Sequence, residues 1–181
     1  IDSASLFNKA LEIIEAKEFF ELSASEIEVL IHPQSLVHAI ACFCDGGMKA
    51  HLGPADMRHA IAYALNEEKR FNLILEEVDL SKVGTLEFEK PDFLKYPALK
   101  LGFEVLEHGG LAGAAFNAAK EEALNNFLDL KLSFLGMTDV VRATMDELSS
   151  RNQLNSEVEL EAVLDIDLQA RLIAKTLVNK L

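Results

Sequence analysis

The chain has 181 residues, half of them hydrophobic, with 17 basic and 30 acidic side chains and a formal net charge of −13. That length suits one large domain or two small ones, and the apolar fraction supports a core without disulfides or structural metals. Residues 1–66 carry 4 basic and 9 acidic side chains and the remainder 13 and 21, so no basic stripe exists to neutralise nucleic acid or an anionic membrane surface.

No apolar run reaches the roughly 18 residues of a membrane span. A phosphorylated small molecule stays compatible with the net charge, because a few local donors and a divalent cation outweigh distant charges. The chain opens at Ile1 without an initiator Met, which we read as entry in the middle of a domain.

Residues 5–20 have helical spacing, with Leu6, Phe7, Ala10, Leu11 and Ile14 on one apolar face. Residues 26–31 form a β-branched run before His32-Pro33 and predict a buried strand. A second strand over 36–44, Asp45-Gly46-Gly47 as turn chemistry, and 48–52 as return strand predict a hairpin. Gly53-Pro54 breaks the chain, and Asp56 can start a helix running to about Leu65.

Residues 66–92 are rich in glutamate, contain a short strand-like piece at 85–88 and end at Lys90-Pro91-Asp92. This is the composition of a surface linker that adds an edge strand. Helical patterns follow over 96–108, closed by Gly109-Gly110, and over 112–129. A third helix is predicted from Thr138-Asp139 to Ser149, and a last one from 156 to 181 with a break near Asp165-Ile166-Asp167. The expected fold class is α+β: a small β-sheet with helices, a linker, and a C-terminal four-helix bundle.

Asn8, Lys9 and Glu12 fall within one helical turn, so an amide, an ammonium and a carboxylate share a face. Ser3 lies just before them, where a hydroxyl and the free N–H groups of a helix start can hold an anion. The group can bind a phosphate and, through Glu12, a metal; a solvated face with an ordinary Lys–Glu pair explains the same spacing. His32 and His38 sit on expected strands, where a lone histidine is more often a packing residue, and His51 and His59 add no metal-ligand spacing. Arg58 beside Asp56 reads as a structural ion pair. Cys42 and Cys44 lie two apart, which is poor disulfide geometry, and are expected to be buried free thiols.

Gly109, Gly110 and Gly113 do not form a dinucleotide fingerprint, because the preceding element is helical and the spacing is wrong. There is no P-loop, and the Asp165-x-Asp167 and Glu157-x-Glu159 pairs read as solvated.

The segments DSASLFNKALEIIEA, EVLIHPQSLVHA, DGGMKAHLG and ADMRHAIAYAL, followed by GTLEFEKPDFLKYPALKLG and FNAAKEEAL, run in order along the chain. Together they resemble the 1-deoxy-D-xylulose 5-phosphate reductoisomerase family over essentially all 181 residues. The resemblance implies an oxidoreductase of the non-mevalonate isoprenoid route that uses NADPH and Mg²⁺ or Mn²⁺ and makes 2-C-methyl-D-erythritol 4-phosphate. It also implies a homodimer in the bacterial cytoplasm or the plastid, with no nucleic-acid or membrane partner.

On this resemblance residues 1–66 are part of the catalytic domain, 67–92 a linker and 93–181 the C-terminal helical bundle domain. Ser3, Asn8 and Lys9 match positions that hold the substrate's phosphate and hydroxyls. Glu12 matches the third metal carboxylate, which also touches substrate, and Lys9 and Glu12 are the catalytic candidates. His38 and residues 54–57, including Met57, match the segment lining the pocket near the nicotinamide.

The family's other two metal carboxylates, its mobile loop and its cofactor domain are expected upstream of Ile1. The isolated chain is therefore expected to be inactive, the alternative being a scaffold or dimerisation fragment with no ligand site. Ala10 stands where the family usually has Gly, and Lys120 where it usually has Asn.

Overall fold

The computed structural model describes residues 1–67 and 69–180. In chain order the elements are α1 (Asp2–Ser5), α2 (Phe7–Phe20), a 3-10 turn (Ala24–Glu26), β1 (Val37–Cys42), β2 (Met48–Leu52) and α3 (Met57–Leu65). After these come α4 (Leu80–Val83), α5 (Pro97–His108), α6 (Ala112–Leu128), α7 (Phe134–Ser150) and α8 (Leu160–Val178). They form two compact units, one of Ile1–Val29 with Pro91–Leu181 and one of Leu30–Lys90. No helix among the described residues is long and apolar enough to cross a membrane.

The first unit is helical. Its core gathers Phe7 and Ala10 of α2 with Phe116 of α6, Val141 and Leu148 of α7 and Ile166 of α8. Burying such side chains contributes roughly 1.5–3 kcal/mol each. The rings of Phe7 and Phe116 lie 5.9 Å apart and tilted by 46°, which ties α2 into the bundle.

Helices α2 and α5 approach closely because small residues face each other. A Cβ at Gly102 would stand 2.6 Å from Ala10 Cβ. This pairing shows how Ala10 is accommodated where a glycine was expected: the helix opposite supplies the glycine.

Helix α1 is a single turn joined to α2 through Leu6, which has φ 60° and ψ 18°. That left-handed conformation is unfavourable for a bulky L-residue and is retained here by burial of Leu6 and by the Ser5 hydroxyl. Ser5 Oγ accepts from Phe7 N at 3.4 Å and lies 3.2 Å from both the Ile1 and Asp2 carbonyls.

The second unit contains the hairpin. β1 and β2 pair antiparallel from Val37 opposite Leu52 to Cys42 opposite Met48, with an irregularity between Val37 and Ala39. The turn is made by Gly46 at φ 85° and by Asp45, whose Oδ1 accepts from Gly47 N at 2.8 Å. Asp56 caps α3 by accepting from Arg58 N at 2.9 Å. Residues 87–89 fold back on 31–34: Ile31 and Glu89 exchange backbone hydrogen bonds of 2.8 and 2.9 Å. Around that bridge His32 Nδ1 meets the Glu87 carbonyl at 2.8 Å and its ring stacks on Phe88 at 4.6 Å.

Several expectations are corrected. Residues 26–31 are not a buried strand: Ser23 and Glu26 close a capping box on the 3-10 turn, Leu30 is exposed, and Ile31 alone finds a strand-like partner in Glu89. Helix α7 starts at Phe134 rather than Thr138, because Ser133 Oγ accepts from Gly136 N at 3.0 Å. Helix α8 starts at Leu160 rather than 156 and runs unbroken through Asp165-Ile166-Asp167. There Arg171 donates to Asp167 one turn on, at 2.7 and 3.0 Å.

Both cysteines are free but exposed, since the sheet has two strands and β1 buries little of either face. Glu68, within the expected linker, and Leu181, the end of the expected last helix, lie outside the described residues.

Candidate functional site

Helix α2 presents the polar group read from the sequence. Ala10 and Ile13 turn inward, which leaves Asn8, Lys9 and Glu12 on the opposite side of the same turns. Glu12 Oε1 accepts from Asn8 Nδ2 at 2.6 Å and from Lys9 Nζ at 2.7 Å, and Glu12 Oε2 accepts from Lys9 Nζ at 2.6 Å. The Lys9 and Glu12 side chains are 42% and 45% exposed, so their pair adds little stability and is open to exchange for a ligand. Chemically it is a cation and an amide placed to bind an anion, beside a hard oxygen donor suited to Mg²⁺ or Mn²⁺.

Ser3 stands exposed on α1, outside the hydrogen bonds that join the other three. Beside it, Asp2 accepts from Lys120 Nζ of α6 at 3.0 Å. Lys120 is 8% exposed and lies on the buried face of α6 between Phe116 and Ala123. From the sequence, Lys120 stands out as a departure from the family's usual Asn. Its signal was a lysine at i+4 from Phe116 and i−3 from Ala123, which puts it on the apolar stripe.

His38 and Met57 belong to the second unit. His38 Nε2 lies 3.1 Å from the Gly53 carbonyl, and its ring is 6.1 Å from that of His51, which is 5.4 Å from that of His59. His51 is held below the usual histidine range, first by partial burial and then by the positive fields of His59, His38 and Arg70. Met57 is exposed at the first turn of α3.

Arg58 forms the ion pair expected of it, donating Nε to both Asp56 oxygens at 3.0 Å. Its guanidinium and backbone N–H draw the Asp56 carboxyl down to about 2. The Asp165 and Asp167 carboxylates are occupied as well, by Gln169 and Arg171 respectively, and their contact with Arg171 raises that guanidinium's pKa in the case of Asp167. Among the described residues no group of three His, Cys, Asp or Glu side chains could hold a metal ion. Glu12 therefore has no two such side chains beside it among these residues, and one carboxylate alone holds Mg²⁺ or Mn²⁺ poorly.

The fold and this polar face together define a helical unit with an appended hairpin unit, carrying an anion- and metal-type donor set on its first long helix. The DXP reductoisomerase C-terminal domain model matches residues 52–173. The 1-deoxy-D-xylulose 5-phosphate reductoisomerase of Jannaschia sp. is 53% identical over 175 residues, 96% of this chain and 44% of that protein. That of Cereibacter sphaeroides is 49% identical over 97% of this chain and 45% of the relative.

Among solved structures, the enzyme of Zymomonas mobilis in complex with NADPH matches with a TM-score of 0.88 and 38% identity, over 99% of this chain and 47% of that one. A DOX-P reductoisomerase in complex with NADPH, fosmidomycin and magnesium matches with a TM-score of 0.92 and 34% identity, over 98% of this chain and 45% of that one. The chain belongs to the 1-deoxy-D-xylulose 5-phosphate reductoisomerase family. It spans a little under half the length of the relatives it matches.

Proposed function

We propose that this chain is the substrate-holding part of an NADPH-dependent reductoisomerase that converts 1-deoxy-D-xylulose 5-phosphate into 2-C-methyl-D-erythritol 4-phosphate. In this reading Ser3, Asn8 and Lys9 hold the phosphate and hydroxyls of the substrate. Lys9 supplies a point charge and Asn8 a donor to an oxygen. Glu12 would offer a carboxylate oxygen to Mg²⁺ or Mn²⁺ alongside ligands from outside this chain, and Lys9 would hold the anion. A bound divalent cation supplies Lewis-acid polarisation of the substrate ketone. His38 and Met57 line the nicotinamide side.

The remaining metal carboxylates and the main NADPH site belong to the part of the relatives that this chain does not match. By itself the chain therefore does not turn substrate over. Residues 1–66 serve as part of the catalytic domain, 67–92 as its linker and 93–181 as the bundle domain of a homodimer in the bacterial cytoplasm or the plastid.

The observation that carries the reading is the convergence of Asn8 and Lys9 on Glu12 at 2.6–2.7 Å, in a chain aligned over 98% of its length with a structure solved with fosmidomycin and magnesium. Calorimetric titration of fosmidomycin into this chain, with Mg²⁺ present, tests it against Lys9→Ala. Saturable binding lost in the variant is the expected result. Binding indifferent to Lys9 would refute the phosphate assignment, and absence of binding would favour the scaffold reading. NADPH oxidation with substrate by the purified chain would overturn its predicted inactivity.

A further inference from the structure

We propose that Lys120 is a positioning residue for the substrate-binding turn: its buried ammonium, reaching from α6 to the Asp2 carboxylate, holds α1 so that Ser3 faces the anion. Among the ion pairs of the described residues this one has the most buried cation, with side chains 9% exposed at Lys120 and 31% at Asp2. It joins positions 118 residues apart in sequence.

A four-residue helix has no stability of its own, and α1 is followed by Leu6 in a left-handed conformation at φ 60°. Such a turn persists only where its surroundings determine it. Two local devices contribute, the Ser5 hydroxyl and the burial of Leu6. Leu6 acts after Ser3, whereas the Ser5 hydroxyl reaches back to the Ile1 and Asp2 carbonyls and so closes α1 on itself without tying it to another helix.

Among the described residues, the N-terminal end of α1 has one side-chain tie to another helix, Asp2 to Lys120. Ser3 is the next residue, so the direction of its hydroxyl follows from where Asp2 is held. The pair has a second effect of the same sign. An unpaired Asp2 carboxylate beside Ser3 would repel a phosphate or phosphonate, and the Lys120 ammonium offsets that charge at 3.0 Å. A lysine on the apolar stripe of α6 thus links the bundle to the substrate turn, without touching substrate.

This inference rests on the reading of Ser3 as an anion contact, and its test separates the two. Fosmidomycin affinity with Mg²⁺ is measured calorimetrically for the chain and for Lys120→Met, which keeps volume without charge, each with and without Ser3→Ala. Support for outer positioning residues of this kind is typically lost as a roughly 10- to 100-fold weakening. We expect such a loss in Lys120→Met, a smaller loss on adding it to Ser3→Ala, where only the repulsion by the unpaired Asp2 remains, and recovery in Lys120→Arg. Equal losses in both backgrounds, or none, would overturn the proposal, because a general structural role is indifferent to Ser3.

Hydrogen exchange decides the same point independently of any ligand. The Ser5 and Leu6 amides, bonded to Ile1 O at 3.0 Å and Ser3 O at 3.4 Å, should exchange faster in Lys120→Met while the amides of α6 do not. Asp2→Asn, a change outside the core, should have the same local effect if Lys120→Met disturbs folding. Unchanged α1 exchange in Asp2→Asn would refute the link even if fosmidomycin binds, whereas failure of the unmodified chain to bind, with α1 exchange raised, would refute only the anion reading.

Discussion

Between residues 30 and 90 Gly53 is the one buried position among the described residues, whereas the entire buried cluster from Phe7 to Val178 lies in residues 1–29 and 91–181. The two units are therefore held by different forces. The helical unit rests on close-packed apolar side chains. The hairpin unit rests on backbone pairing, an Asx-type turn, the Asp56 cap and the Ile31–Glu89 bridge. It leaves Phe43, Met48, Met57, Ile61, Phe71 and Ile74 exposed. A two-stranded hairpin is marginal in water. Packing and pairing thus divide along the same line that separates the Ser3–Glu12 face from the His38–Met57 segment.

The largest expected effect sharpens this contrast inside the packed unit. Phe116→Ala removes a fully buried ring that lies tilted against Phe7 and should cost about 3–5 kcal/mol. Urea unfolding followed by helical circular dichroism measures it, and a loss below about 1 kcal/mol would break the picture of a jigsaw core. Gly102→Val should come next. Its Cβ would collide with Ala10, forcing α2 from α5 at a cost of about 1–3 kcal/mol, and the same variant should weaken fosmidomycin binding because Asn8 and Lys9 flank Ala10.

Ser133→Ala removes the cap of α7 and should cost about 1 kcal/mol, measured by the same unfolding curve. An unchanged midpoint would return the start of that helix to Thr138.

The smallest effect concerns the hairpin unit and pH. The folded pKa of His51 is depressed from 6.5, so as pH falls below 6.5 the unfolded chain gains a proton that the folded unit resists. Stability is unaffected above that pH, declines as pH falls from 6.5 toward the folded value, and then levels off. Protection of the β1 and β2 amides, taken relative to their intrinsic exchange rates, should fall as the pH is lowered from about 7.5 to about 5.5, while that of α6 and α7 stays unchanged. His59→Asn should raise the His51 pKa in an NMR titration, and an unmoved titration would exclude His59 as a cause.

Local chemistry was legible where a few neighbouring residues decide the outcome. Asp56 announced α3, Asp45-Gly46-Gly47 the hairpin turn, and Gly109-Gly110 the end of α5, because caps and turns are settled within four residues. Ser133 and Thr138-Asp139 both resemble helix starts in sequence, and only the bond from Gly136 to Ser133 distinguishes them. The expected break in α8 failed because Arg171, four residues on, gathers the acidic charge that would otherwise disfavour it. The β-branched run at 26–31 looked like a strand, but a strand needs a partner, and periodicity does not say whether one is there.

For the site, spacing alone placed Asn8, Lys9 and Glu12 on one face, since i, i+3 and i+4 neighbours meet in any α-helix. The place of Ser3 just before that turn added it to the group, and resemblance attached His38 and Met57. What the sequence determined by itself was this short-range geometry, the acidic balance and the family. Only the tertiary structure decided that Ala10 nests against Gly102, that Cys42 and Cys44 are exposed, and that Lys120 is tied to Asp2. Each of these depends on which surfaces meet across tens of residues, and contacts over that separation leave no periodic signal in the chain.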